Sequence, residues 1–222
     1  STTFVCLNEF TVLNRMKIGE FYLTDIAPSS NNIPDITLAS IEKISYSRSD
    51  IQYLTTLIYE SLPSLICLKI NDCSGDITTA LSTIFPRCKN LRSLTLNNVM
   101  YNENVFTLMQ SNMLKKVSLD CCSEWGLFAL KHLTNHCIIL TELSIFELHM
   151  TPDIANAIFN MHHLQKIYFY NCNLVDMNFN LLCQNYLPKL KLIMIKNCVM
   201  HSKFYSHNDI FRLRPEITID LS

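Results

Sequence analysis

One spacing constrains this chain more than any other feature: Leu-x-x-Leu-x-Leu-x-x-Cys, returning at a nearly constant interval. It reads Leu65, Leu68, Ile70, Cys73, then Leu91, Leu94, Leu96, Val99. It continues as Leu114, Val117, Leu119, Cys122 and as Leu140, Leu143, Ile145, Leu148. Two further copies are Leu164, Ile167, Phe169, Cys172 and Leu190, Ile193, Ile195, Cys198. Weaker copies come first, with Leu13, Met16, Ile18 and with Ile41, Ile44, Tyr46. A degenerate last copy has Ile217 and Ile219 in the fourth and sixth places. With the first Leu as place one, places four and six alternate with period two, like the buried face of a strand. Successive copies start 23 to 28 residues apart. Nine registers at that interval mark an array of like units.

The segments between the strands have helical spacing. In SDIQYLTTLIYESLP, Ile51, Leu54, Leu57, Ile58 and Leu62 share one face. The same holds for Ile77, Leu81, Ile84 and Phe85, for Leu127, Leu130 and Leu133, and for Ile154 and Ile158. Asp50, Asp76 and Thr151, the last followed by Pro152, stand where helix caps belong. The unit is therefore a short strand, a turn, a helix and a return. No single unit buries its apolar side, but stacked units form one continuous core. The pattern predicts an α/β solenoid of about nine strand–helix repeats, with a parallel sheet on the concave side and helices on the convex side. TDIAPSSNNIPDITL is expected to be a loop, and MHSKFYSHNDIFRLRPE an irregular segment with at most a short helical turn. No composition break divides 1–222, so a single domain is expected.

The cysteines follow the repeat. Cys73, Cys122, Cys172 and Cys198 take place nine, and Cys88 and Cys137 stand three residues before the next leading Leu. With the period, this resembles the cysteine-containing leucine-rich repeat, best known from F-box leucine-rich-repeat proteins, the substrate receptors of cullin-based ubiquitin ligases. The resemblance implies a domain that holds a protein target, while an F-box upstream of this chain docks the ligase adaptor. Val99 and Leu148 depart from the ninth-place Cys, and glycine is scarce. Physically, place nine turns the chain inward after the strand. It suits a small residue that buries readily and can satisfy a backbone group, as Cys does.

Other functions find little support. The chain is 49% hydrophobic with a net charge of −1, so a nucleic-acid surface is not expected. No run of 18 apolar residues occurs, so no membrane partner is expected. The N-terminus, STTFVCLNEF, reads neither as an initiator segment nor as a signal peptide, which suggests a fragment or a processed chain. None of the 21 Asn begins an Asn-x-Ser/Thr acceptor, and ten cysteines in a chain with a large core need not be staples. A cytoplasmic or nuclear, reducing compartment is expected. The three glycines form no phosphate loop. Cys121 and Cys122 lack a CxxC partner, His132, His136 and Cys137 form a lone cluster, and His162 and His163 read as a helix end. No cofactor, metal or catalysis is expected.

Places three, five and seven point away from the core. The N-terminal columns are basic and polar, with Arg15, Lys17, Lys43 and Lys69. The middle is small and polar, with Ser93, Thr95, Asn97 and Ser118. The C-terminal columns change character to Glu142, Ser144 and Phe146, then Lys166, Tyr168 and Tyr170, then Leu192, Met194 and Lys196. Aromatic and apolar groups on a face that should be wet mark a docking site. The candidate partner-binding residues are Glu142, Phe146, Lys166, Tyr168, Tyr170 and Met194. Two readings stand side by side: contacts for a protein target, or strand residues covered by the 199–222 tail as an end cap. The wider alternatives to a ligase receptor are a ribonuclease-inhibitor-like scaffold and a secreted effector or innate-recognition protein.

Overall fold

The computed structural model describes residues 2–4, 20–24, 41–49, 51, 54–55, 58–109, 112–120, 125–179, 181, 186–200 and 214–221. The chain divides into two compact units, Ser1–Leu114 and Lys115–Ser222.

The first unit holds strands β1 (Thr2–Phe4), β2 (Glu20–Thr24), β3 (Lys43–Ser47), β4 (Cys67–Asn71) and β5 (Ser93–Asn97). They pair in chain order and all are parallel. Places four and six face inward as the spacing requires: Ile44, Tyr46, Leu68, Ile70, Leu94 and Leu96 are essentially inaccessible. The place-two carbonyl ties each strand to the next. Glu42 O accepts from the N–H groups of Ile66 and Cys67, and Ile66 O accepts from those of Arg92 and Ser93. Helix α1 (Thr78–Ile84) starts where Asp76 Oδ1 accepts the Thr78 N–H at 2.8 Å. It turns Ile77, Leu81, Ile84 and Phe85 inward. The other returns tighten into 3-10 turns at Tyr59–Ser64, which contains Pro63, and at Glu103–Leu108. Asn102 caps the second by accepting the Asn104 N–H at 2.9 Å, and Phe106 packs against Phe85 and Tyr101.

The second unit holds β6 (Lys116–Asp120), α2 (Trp125–His136), β7 (Glu142–Phe146), α3 (Pro152–Phe159), β8 (Lys166–Tyr170), β9 (Leu192–Lys196) and β10 (Thr218–Asp220). Its strands are also parallel and in chain order. Thr151 Oγ1 caps α3 by accepting the Ile154 N–H at 3.3 Å, and Pro152 takes the first turn, where its missing N–H is harmless. Leu130, Leu133, Ile154 and Ile158 are buried as their spacing predicts, while Leu127 is only half-buried. At the end of the unit, buried Arg214 donates to the carbonyls of Tyr186 and Leu187 and pairs with Glu216. Both units are built as α/β leucine-rich repeats.

A turn regularity that the spacing did not announce closes each strand. Place eight takes a left-handed conformation in all six repeats where it is described: Arg48, Asp72, Asn98, Glu147, Asn171 and Asn197, with φ between 48° and 55°. Four of the six are Asn or Asp, the non-glycine types that best tolerate it. The place-eight N–H then reaches the place-seven carbonyl of the next repeat, as in Asp72 to Asn97 (3.1 Å) and Asn171 to Lys196 (3.0 Å). At place nine a small polar group folds back onto its own place-seven carbonyl. Cys73 reaches Asn71 O at 3.4 Å, Cys172 reaches Tyr170 O at 3.3 Å, and Cys198 reaches Lys196 O at 3.3 Å. Ser49 does the same to Ser47 O at 2.8 Å, which identifies it as the ninth-place residue of its repeat.

Two registers differ from the sequence reading. The first strand was expected over Leu13, Met16 and Ile18, which lie outside the described residues. Instead β2 pairs Phe21 with Ile44 and Leu23 with Tyr46, so these two take places four and six. The pattern is met five residues later, and β1, which was not expected, precedes it. At the other end, Ile219 pairs with Ile193 and so takes place four, not six. The loop expected at 24–38 lies outside the described residues except Thr24, as do Asp50, Cys122, Arg15 and Lys17.

Leu94 and Leu143, both fully buried in central strands, are expected to cost about 2–5 kcal/mol of stability when truncated to Ala, measured by denaturant unfolding. Exposed Glu147 holds a left-handed backbone that its side chain disfavours. Glu147→Asn or Glu147→Gly is expected to raise stability by roughly 0.5–1 kcal/mol in the same assay.

Candidate protein-docking face

Parallel in-register pairing turns each outward place into a column. Across β7, β8 and β9, place three stacks Glu142, Lys166 and Leu192; place five stacks Ser144, Tyr168 and Met194; place seven stacks Phe146, Tyr170 and Lys196. All six sequence-predicted residues therefore meet on one face of three adjacent strands. Glu142, Phe146, Tyr168, Tyr170, Lys166 and Met194 are each partly exposed.

The aromatic groups are ordered by one another. The Phe146 and Tyr170 rings stack with centroids 4.6 Å apart and planes within 12°. Tyr168 lies parallel to Tyr170, centroid to centroid 6.5 Å. The Tyr170 hydroxyl donates to Met194 Sδ at 3.7 Å, a weak contact that nonetheless orients both side chains. Partial burial, then the nearby Tyr168, raises the Tyr170 phenol above its ordinary value. The phenol is therefore neutral at physiological pH.

Glu142 bridges two lysines, at 2.8 Å from Lys116 Nζ and 3.2 Å from Lys166 Nζ. Burial alone would raise its carboxyl, but hydrogen bonds and charge from the two lysines outweigh that and hold it below its ordinary value. Lys166 is raised in turn, chiefly by its hydrogen bond to Glu142. The candidate residues read from the sequence include Glu142 and Lys166 but not Lys116, whose outward place-three position one strand away could have indicated the bridge.

Of the tail expected to cover Leu192 and Met194, residues 201–213 lie outside the described residues. Its described end, β10, pairs edgewise with β9. In the first unit the corresponding columns carry exposed Lys43 and half-buried Lys69 among small polar residues; Arg15 and Lys17 do not belong to β2, which places Tyr22 and Thr24 there.

The six described cysteines are free thiols. Burial pushes Cys88 up to about 12 and Cys137 up to about 11, and Cys172 is pushed to about 12 for the same reason first. Such thiols are poor nucleophiles. His132 and His136 stack with centroids 4.2 Å apart, and burial, then His136, lowers His132. Among the described residues no three His, Cys, Asp or Glu come together as a metal site would need, and no helix is long and apolar enough to cross a membrane.

No family model matches the chain, and no curated protein sequence matches it either. Solved structures do. Human trophoblast glycoprotein (Wnt-activated inhibitory factor 1) superposes with a TM-score of 0.59 at 15% identity, over 88% of this chain and 74% of that one. An internalin of Listeria monocytogenes gives 0.48 at 15% identity, over 85% of this chain and 52% of its own. Both are leucine-rich-repeat proteins. The first agrees with the repeat geometry in fold, and at that identity in fold alone.

Because the folded Glu142 carboxyl titrates below its ordinary value near 4.5, its stabilisation is complete above that value and is lost as pH falls through the folded one. Unfolding measured from about pH 6 to pH 3 is expected to show a weaker acid-side loss in Glu142→Gln than in the unmodified protein.

Proposed function

We propose that this chain is a protein-recognition module whose open sheet face, centred on Phe146, Tyr168, Tyr170 and Met194, holds a protein target. The observation that carries the reading is the Phe146–Tyr170 stack with Tyr168 beside it. It places partly exposed aromatic area at positions the repeat leaves free. Aromatic side chains already fixed by their neighbours lose little conformational freedom on binding. Glu142 and Lys166 at the margin supply polar contacts. The mechanism is recognition alone, with chemistry brought by another domain or protein.

Within this reading the role we favour is target selection for a cullin-type ubiquitin ligase, the adaptor being docked by an F-box in the full-length protein. The support is the ninth-place Cys row, whose thiols bond the strand-end carbonyl in three repeats. The free thiols and the lack of Asn-x-Ser/Thr acceptors support a reducing compartment. Co-expression of the full-length protein with the ligase adaptor tests this role; failure to form a complex would favour the ribonuclease-inhibitor-like scaffold.

Tyr168→Ala is expected to weaken target binding by roughly 2 kcal/mol while leaving unfolding nearly unchanged, because Tyr168 stands at the margin of the stack. Tyr170→Ala is expected to lower both, since it also removes a stack worth about 0.5–1.5 kcal/mol. Paired unfolding and affinity measurements on the two variants check this. Unchanged binding in both would move the site elsewhere.

A further inference from the structure

The chain as a whole is nearly neutral, with 18 Lys and Arg against 19 Asp and Glu. In the second unit that neutrality is spatially divided. Parallel strands place all their N-terminal ends along one edge of a sheet. Along that edge lie Lys115 and Lys116 at β6, Lys166 at β8, Lys189 and Lys191 at β9, and Arg214 ahead of β10. Lys115, Lys116, Lys189 and Lys191 are exposed. The only acidic groups described on this edge are Glu142, already shared by Lys116 and Lys166, and Glu216, paired with Arg214. The opposite, C-terminal edge carries Asp120, Glu147, Asp153 and Asp176, with Lys196 as its described cation, while Asp220 stands between the edges at place five, beside Met194. Within 4.0 Å no carboxylate meets Lys115, Lys189 or Lys191 among the described residues.

We propose that the N-terminal edge of this sheet is a basic rim that takes an acidic segment of the protein target, with an apolar side chain of that segment resting on the aromatic patch. The inference rests on the docking reading above and gives that partner a chemistry. The rim and the patch are continuous: Lys166, at place three of β8, is followed on the same face by Tyr168 and Tyr170. Lys116 and Lys166 stand two strands apart, about 10 Å, with Glu142 between them. A carboxylate entering there can exchange with Glu142 for either lysine. An acidic peptide fits better than a nucleic acid or an anionic membrane. A phosphate backbone has no use for the adjoining Phe146, Tyr170 and Met194, and an extended polyanion would meet the acidic edge across the sheet.

The test is selection from a phage-displayed peptide library on the full chain at roughly 0.15 M salt, followed by titration of the selected peptides. The expected result is enrichment of sequences with clustered Asp or Glu next to a Leu, Ile or aromatic residue. Their affinity should fall at least about tenfold in Lys115→Glu/Lys191→Glu and fall further in high salt. Both positions are exposed, so an unchanged melting temperature confirms an intact fold, and Lys131→Glu on α2 serves as the control. Peptides without acidic character that bind the patch and are lost in Tyr168→Ala would overturn the rim while sparing the docking face. Acidic peptides unaffected by the rim variant would overturn it too. So would a preference for phosphatidylserine vesicles or a DNA duplex over the peptides. Absence of any patch-dependent peptide would count against both readings.

Discussion

The turn at the end of each strand is the constraint on which the rest depends. A leucine-rich repeat must leave its strand abruptly, send the chain inward, and still satisfy backbone groups that have just lost their ladder partners. Place eight turns left-handed, its N–H reaches the neighbouring repeat, and place nine folds a thiol or hydroxyl back onto the place-seven carbonyl. A short donor at place nine reaches that carbonyl, so Ser49 and Cys73 do one job although their chemistries differ. Val99 and Leu148 keep the inward direction without the bond. Cysteine at place nine is thus a turn residue first, and the upward-shifted thiol of Cys172 follows from the burial the turn imposes, whereas Cys88 and Cys137 owe theirs to burial behind the helices, ahead of the next strand.

Once the turn is repeated, the remainder is stacking. The shared place-two carbonyl fixes one end of each strand and the place-eight N–H the other, so register slippage would break bonds at both ends at once. Helices are needed only to cover the apolar side, which explains why they vary from the twelve residues of α2 to six-residue 3-10 turns without disturbing the strands. Leu62 remains buried whether its segment is a regular helix or, as here, a 3-10 turn with Pro63.

The strands from β3 to β9 were legible because places four and six demand apolar residues on both sides of a polar one, and the sequence meets that demand with little ambiguity. The N-terminal repeat was misread because two phases satisfy the template: Leu13, Met16 and Ile18, or Ile18, Phe21 and Leu23. Aliphatic spacing prefers the first, but pairing with β3 selects the second. Local pattern carries no information about which phase has a partner. At Ile217 and Ile219 the same limitation shifts the register by two. The left-handed turn could have been found, since Asp72, Asn98, Asn171 and Asn197 recur at one place. Arg48 and Glu147 hide it.

The candidate docking face was legible for a different reason. Period-two alternation says which residues point outward, and a constant repeat interval says which of them become neighbours, so Phe146 and Tyr170 could be set side by side before any coordinates. Their ring stack and the grip of Tyr170 on Met194 required side-chain geometry. That geometry changes the physical meaning of the patch. Isolated exposed tyrosines would each surrender rotamer freedom on meeting a partner. Here Tyr170 is already held from both sides, by Phe146 and by Met194, so part of the ordering cost of the proposed interface is met during folding. The same holding makes Tyr170 a contributor to stability, whereas Tyr168, at the margin, can contribute to binding with little share in the fold. Under the proposed docking, structural and recognition roles separate between two residues of one strand, two places apart.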